Sequence, residues 1–263
     1  MRSVLALAAL SGCQALFGVS PVDPKSDASA DAKVYLDAPP AGTVCAGVTG
    51  APLHICAQEV LLQGLTYSSD VDIDTDAGTL CTRIEPAAGE QGELCEVIAT
   101  DLTIQPGATV SAHGSRPLVL VAMGTLSIGG TVDVSSHASP DRRGAGADDA
   151  ACPIANGSVQ APGASTSGGG AGGSFGGRGG AGGAPAGGVA LMAPAPIDPA
   201  TLTLVRGGCH GGAGGTDHSM HTAPGGHSGG AVYLMAGTML QLAGKVLANG
   251  SGGAGGASTT LTD

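Results

Sequence analysis

The chain has 263 residues, enough for one or two domains with a buried core, and 48 of them are glycine, far above the usual ~7%. Hydrophobic residues make up 42%, which excludes a typical low-hydrophobicity disordered chain. The net charge of −11 comes with no basic cluster beyond Arg142-Arg143, so a grip on phosphate backbones is excluded and no nucleic acid partner is expected. Only Phe17, Phe175, Tyr35, Tyr67 and Tyr233 are aromatic. Any core must therefore be built from Val, Leu, Ile and Ala, which suits a slender sheet-based fold.

At the start, Arg2 is followed by an apolar run over residues 4–10 that stops at Leu10-Ser11-Gly12-Cys13. A basic start, a short apolar core and small residues before a cleavage point predict a secretion signal. The run is too short for a hydrocarbon core that needs ~20 residues. Its last four residues look like a bacterial lipobox, which implies cleavage before Cys13 and lipid on that residue. The expected location is then the cell envelope, at the outer membrane or cell surface, with the membrane as a partner through the lipid. Setting Cys13 aside leaves Cys45, Cys56, Cys81, Cys95, Cys152 and Cys209, an even set in a compartment where disulfides persist. Near-neighbour pairing is the simplest connectivity: Cys45–Cys56, Cys81–Cys95 and Cys152–Cys209. No C-x-x-C pair supports zinc instead.

Residues 14–43 are rich in Pro, Asp, Ser, Ala and Lys without a hydrophobic period, and read as a solvated tether. Further on, Asp70, Asp72, Asp74 and Asp76 alternate with Val71, Ile73 and Thr75, the pattern of a strand with one polar face. Ala77 stands where a calcium loop needs glycine. From Ile98 to His137 short apolar alternations recur: Leu102/Ile104, Val110/Ala112, Leu118/Leu120/Ala122, Leu126/Ile128 and Val132/Val134, each bounded by Gly or Pro. Leu102-Thr-Ile104 and Leu126-Ser-Ile128 lie 24 residues apart, Val110 and Val132 22 apart. A period in the low twenties predicts one coil of a β-solenoid. Residues 118–136 also align without a gap on 232–250, with Leu120 on Leu234, Leu126 on Leu240, Ile128 on Leu242, Gly130 on Gly244 and Val132 on Val246.

The segment between the two copies is glycine-rich. Phe175-Gly-Gly-Arg178-Gly-Gly-Ala181 and His210-Gly-Gly-Ala213 have a strict three-residue period. Such triplets fit packed polyglycine-II helices or a flexible linker, and the apolar patches at Val189 to Leu191 and Leu202 to Val205 favour order. The expected fold is mostly β: short β-solenoid, parallel β-helix-like coils with a glycine-rich, polyglycine-II-like insertion. The expected divisions are 1–12 signal peptide, 13–44 anchor and tether, 45–97 disulfide-stapled β region, 98–138 coils, 139–230 insertion, and 231–263 returning coil and tail.

Two segments match the G-x-S-x-G hydrolase pattern, around Ser174 and Ser228. Neither is flanked by the strand and helix that make the nucleophile elbow work, so both are set aside. Four of the seven histidines, His210, His218, His221 and His227, fall within eighteen residues together with Asp217. Imidazole and carboxylate can hold zinc, copper or nickel, although the spacing fits no zinc signature. Arg116, Asp101, Asp133 and Lys245 are too sparse for a lyase groove.

The lipobox, the run Thr103-Ile-Gln-Pro-Gly-Ala-Thr-Val-Ser-Ala112 and the segment Gly229-Gly-Ala-Val-Tyr-Leu-Met-Ala-Gly237 together resemble glycine-rich bacterial surface lipoproteins of uncharacterised activity. The coil segment is similar to right-handed parallel β-helix proteins, among them secreted adhesins and polysaccharide lyases. No activity, catalytic residue or cofactor comes with this resemblance. The expected role is a non-catalytic structural or adhesive one at the cell surface, with a glycan or other cell-surface ligand as the partner it would take. The alternatives are a carbohydrate-active enzyme, and metal binding through the histidine segment.

Overall fold

The computed structural model describes residues 41–47, 53–88, 91–149, 152, 168–175, 178–184, 189–190, 192–193, 195–196, 204–214 and 223–253. The chain divides into two compact units, Met1–Thr43 and Val44–Asp263, and nearly all described residues belong to the second. Cys13, Asp217, His218, His221 and the signal and tether segments up to residue 40 lie outside the described residues. Among the described residues no helix is long and apolar enough to cross a membrane.

The fold is mostly β with a regular, repeating parallel-sheet topology. A stack of tiers, each of three short strands paired in parallel with the next tier, forms its body. β6 (Leu94–Ala99), β7 (Leu102–Ile104) and β8 (Thr109–His113) make one tier, and β9 (Leu118–Ala122), β10 (Thr125–Ile128) and β11 (Thr131–Asp133) the next. β14 (Val232–Ala236), β15 (Met239–Leu242) and β16 (Lys245–Leu247) make the last. Before them, β3 (Leu65–Tyr67) and β4 (Val71–Asp74) pair in parallel with β7 and β8, while β5 (Arg83–Glu85) closes the third sheet antiparallel to β6. The three sheets run β15-β10-β7-β3, β16-β11-β8-β4 and β14-β9-β6-β5. Pairing between tiers thus starts within the segment expected as a separate stapled region. The aspartates that give β4 its polar outer face hide its likeness to the later tiers.

Register is set by the buried face, because a one-residue slip would turn every inward side chain out. Leu65, Leu102, Leu126 and Leu240 stand in one ladder, and Tyr67, Ile104, Ile128 and Leu242 in the next. Val71, Val110, Val132 and Val246 form a third. Leu120 pairs with Leu234 and Ala122 with Ala236, as the ungapped alignment predicts. At the turn between strands a Cβ on Gly244 would lie 1.8 Å from the Gly130 carbonyl oxygen, so the tiers can close here only through glycine.

One expectation is corrected. Leu240 and Leu242 point inward by register yet are 48% and 54% exposed. β15 is the outermost strand of its sheet, with β10 on one side and no described strand on the other.

In the β14-β9-β6 sheet, β9 and β6 are buried on both faces and β14 is half-buried. The sheet's inner residues join the main core, and Leu94, Ile98, Val119, Val121 and Met235 form a second cluster on its outer side with Ala46, Ile55, Val205 and Ala231. This explains the unbroken apolar run of β9, the habit of a strand covered on both sides. β1 (Thr43–Ala46) and β2 (Ile55–Gln58), a two-stranded sheet, supply part of that cover. Glu96 lies in the covered region with its side chain wholly buried, held by Arg83, whose Nε donates to Glu96 Oε2 at 2.7 Å. Burial pushes the Glu96 carboxyl above its ordinary value, against the pull of Arg83.

Three of the alternating aspartates tie neighbouring segments together, while Asp74 accepts the N–H groups of Asp76 and Ala77 in its own turn. Asp70 Oδ1 accepts the Thr109 N–H, Asp72 accepts the Ser111 hydroxyl and two Arg142 N–H groups, and Asp76 accepts from Ser115. Partial burial opposes ionisation at Asp72 and Asp76, but the serine hydrogen bonds and the nearby arginines win and hold both carboxyls below their ordinary values.

β12 (His137–Ala138) and β13 (Asp141–Arg142) form a small antiparallel pair that leads into the glycine-rich lobe. There, backbone hydrogen bonds recur every third residue between antiparallel segments. Gly169 and Gly172 donate to Gly183 and Gly180, and Gly208, Gly211 and Gly214 donate to Gly229, Gly226 and Ala223. A Cβ on Gly173 would lie 2.0 Å from the Cys209 carbonyl oxygen, so the triplet glycines are required by close approach of backbones. Three disulfides staple the unit: Cys45–Cys56, Cys81–Cys95 and Cys152–Cys209.

Candidate metal centre

The hydrogen-bond register of the lobe decides which histidines meet. Gly208 pairs with Gly229 and Gly211 with Gly226, so His210 and His227 stand opposite one another on adjacent segments. Their ring centroids are 5.4 Å apart at an interplanar angle of 82°. Asp148 completes the group. It sits just beyond the tier edge, where Ala145 and Gly146 donate to the carbonyls of Ala112 and Gly114. Its φ is +56°, a left-handed conformation that is uncommon outside glycine but which aspartate tolerates.

A reciprocal pair of hydrogen bonds locks Asp148 in place. Its N–H donates to Ser228 Oγ at 2.8 Å, and Ser228 N–H donates to Asp148 Oδ1 at 2.9 Å. The other carboxylate oxygen then lies 2.5 Å from His227 Nδ1. On the far side of the same ring, Asp141 Oδ1 lies 2.9 Å from Nε2. His210 donates its Nδ1–H to the Gly211 carbonyl, which leaves Nε2 as its lone-pair nitrogen.

Ligand atoms from Asp148, His210 and His227 lie within 4.8 Å of one another. The centre is sheltered rather than sealed, with the side chains of Asp148 and His227 12% and 22% exposed. Two imidazoles and a carboxylate suit zinc, copper or nickel and are poor ligands for calcium or magnesium. Asp141 on the remote nitrogen of His227 is the kind of outer carboxylate that orients a ligating imidazole. The disulfide Cys152–Cys209 joins the two halves of the centre, since Asp148 lies four positions before Cys152 and His210 directly follows Cys209. Arg206 reinforces this join through an N–H to Cys152 Sγ at 2.6 Å and an ion pair with Asp149 at 3.7 Å.

Of the metal ligands expected from sequence, His210 and His227 are brought together. Asp217, His218 and His221 lie outside the described residues. Asp148 and Asp141 were not anticipated, and the signal for Asp148 was the Cys152–Cys209 pairing itself, which carries Asp148 to His210.

Among the described residues, both hydrolase-like serines accept a backbone N–H through their hydroxyl oxygens. Ser228 spends its hydroxyl on Asp148 N–H, while His227 turns Nε2 to Asp141. Ser174 is buried and accepts the Gly179 N–H. Three of the four charged residues considered for a lyase are engaged locally: Arg116 with Glu93 and the Thr75 carbonyl, Asp101 with Thr125 N–H, and Asp133 with Ser135 N–H.

A second group, Cys45, His54 and Cys56, also places its ligand atoms within 4.8 Å of one another. Its two sulfurs are bonded to each other and offer no thiolate in this state. No protein-family model matches the chain, and neither curated proteins nor solved structures show a significant match to it.

Proposed function

We propose that this protein is a metal-binding surface protein of the bacterial cell envelope, in which Asp148, His210 and His227 hold a divalent transition metal. The convergence of their three ligand atoms within 4.8 Å carries this reading. The tiers, read as coils of a parallel β-helix, act as a rigid support, as the in-register ladders favour. The three-residue hydrogen-bond period favours reading the glycine-rich lobe as packed polyglycine-II helices that present the two histidines. Placement in the envelope rests on the run Leu10-Ser11-Gly12-Cys13 and is tested by Cys13→Ser, which should abolish fatty-acid labelling and release the protein from membranes.

The metal reading is tested by competition titration of the disulfide-intact protein with zinc, copper and nickel. One metal per chain should bind, and His210→Ala, His227→Ala and Asp148→Asn should each weaken it by on the order of 100-fold, the loss of one of three ligands exceeding the outer-shell effects known for such sites. Asp141→Asn should cost about 10-fold. Binding that is indifferent to His227→Ala would refute the assignment.

A further inference from the structure

We infer that Cys45, His54 and Cys56 form a second metal site, for zinc, that opens when the Cys45–Cys56 disulfide is reduced. Cys45 lies on β1 and Cys56 on β2, adjacent strands of the two-stranded sheet, and His54 stands two positions before Cys56. His54 Nδ1 is 3.8 Å from Cys56 Sγ. In a tetrahedral zinc site, with Zn–S of about 2.3 Å and Zn–N of about 2.0 Å, sulfur and nitrogen ligands lie roughly 3.6 Å apart and two sulfurs roughly 3.8 Å apart. The sulfur–nitrogen spacing is therefore already close to what zinc needs. Cys45 Sγ, already within 4.8 Å of the His54 ligand atom, must part from Cys56 Sγ, and each sulfur sits on its own strand.

This bond is also the accessible one of the three. Cys45 and His54 are exposed, whereas Cys95, Cys152 and Cys209 are buried in the other two bridges. Exposed disulfides are the ones that reductants reach first. A dithiol supplies the chemistry: it gives up two electrons and two protons as it closes its own disulfide, and Cys45 and Cys56 receive them as thiols. Metal binding then releases both thiol protons and leaves two thiolates and one imidazole on the ion, with water in the open fourth position. Two thiolates and an imidazole select zinc over the hard cations. The same three side chains thus exist as a disulfide or as a zinc site, never both.

The site is independent of the Asp148 centre, and cobalt tells them apart because only thiolate ligands give an intense near-ultraviolet charge-transfer band. The full-length, disulfide-intact protein is loaded with Co2+ before and after mild dithiol treatment, with opening of Cys45–Cys56 verified by peptide mapping. The expected result is no thiolate band before treatment and a band of two-thiolate intensity after it, displaced by zinc. His54→Ala leaves the disulfide intact and should lower cobalt affinity of the reduced protein by on the order of 100-fold. Cys45→Ser/Cys56→Ser should show no band, which also excludes Cys13 as the source. A mapped, opened bond with no band overturns the inference, as does a band that persists in the double serine variant. An affinity unchanged by His54→Ala overturns the ligand set.

Discussion

Leu126 and Leu240 occupy the same rung of one ladder, yet they should respond very differently to truncation. Leu126 is fully buried, with Leu102 on one side and Leu240 on the other. Leu126→Ala removes the burial of its branched end and leaves a cavity that neighbouring tiers cannot close, at a cost of about 3 kcal/mol. Leu240 is 48% exposed at the edge of the stack. There about half of the transfer term is lost and no enclosed cavity forms, so Leu240→Ala should cost about 1 kcal/mol. The difference of ~2 kcal/mol is the signature of position in the stack rather than of residue type. Guanidinium unfolding with the disulfides intact measures it as a shift in midpoint at constant slope. The outward neighbours Ser127 and Gln241 supply the control, and alanine at either should change stability by less than about 0.5 kcal/mol. Equal costs at Leu126 and Leu240, or costs at the outward positions to match, would refute the assigned register and the place of β15 at the edge.

Three further outcomes follow from the geometry. Gly173→Ala should destabilise the lobe, because the new methyl would lie 2.0 Å from the Cys209 carbonyl oxygen, and hydrogen exchange should quicken at Gly208, Gly211 and Gly214 while the tiers stay protected. Cys152→Ser/Cys209→Ser releases a loop closed over 57 positions, a loss of about 4 kcal/mol in the chain-entropy model, and metal affinity at Asp148 should fall with it. The stability profile below neutral pH should show two opposed contributions. Glu96 has a folded-state pKa above its unfolded value, so stability rises as pH falls through that folded value towards the unfolded one, and Glu96→Gln should remove the rise. Asp72 and Asp76 are shifted the other way: their contribution is present above the unfolded value and is lost as pH falls through the folded one. Asp72→Asn should flatten that acid limb.

Much of the tier architecture is written in period-two alternation. Leu102/Ile104, Leu126/Ile128 and Leu240/Leu242 share a face because successive strand residues point to opposite sides, and glycine turns keep the tiers in phase. The pattern gives orientation, but not whether a neighbour exists to cover it, which is why Leu240 looks like a core residue in sequence. The alternation of Val71 and Ile73 with aspartates marks β4 as a strand, but those aspartates hide its kinship with the later tiers, and β3 is only three residues long, too short to show a period. In the centre, histidine clustering pointed to His210 and His227. Their opposition depends on a backbone register among glycines, which have no side chains to display it. Asp148 lies remote in sequence and becomes a partner only through the Ser228 lock and the Cys152–Cys209 bond.

Electron paramagnetic resonance of the disulfide-intact protein with one equivalent of Cu2+ reads the ligands directly, through nitrogen hyperfine structure. A single copper species with two imidazole nitrogens and oxygen donation is expected, falling to one nitrogen in His210→Ala and in His227→Ala. A spectrum of hydrated copper, or a two-nitrogen spectrum unchanged by His227→Ala, would contradict the assignment of Asp148, His210 and His227.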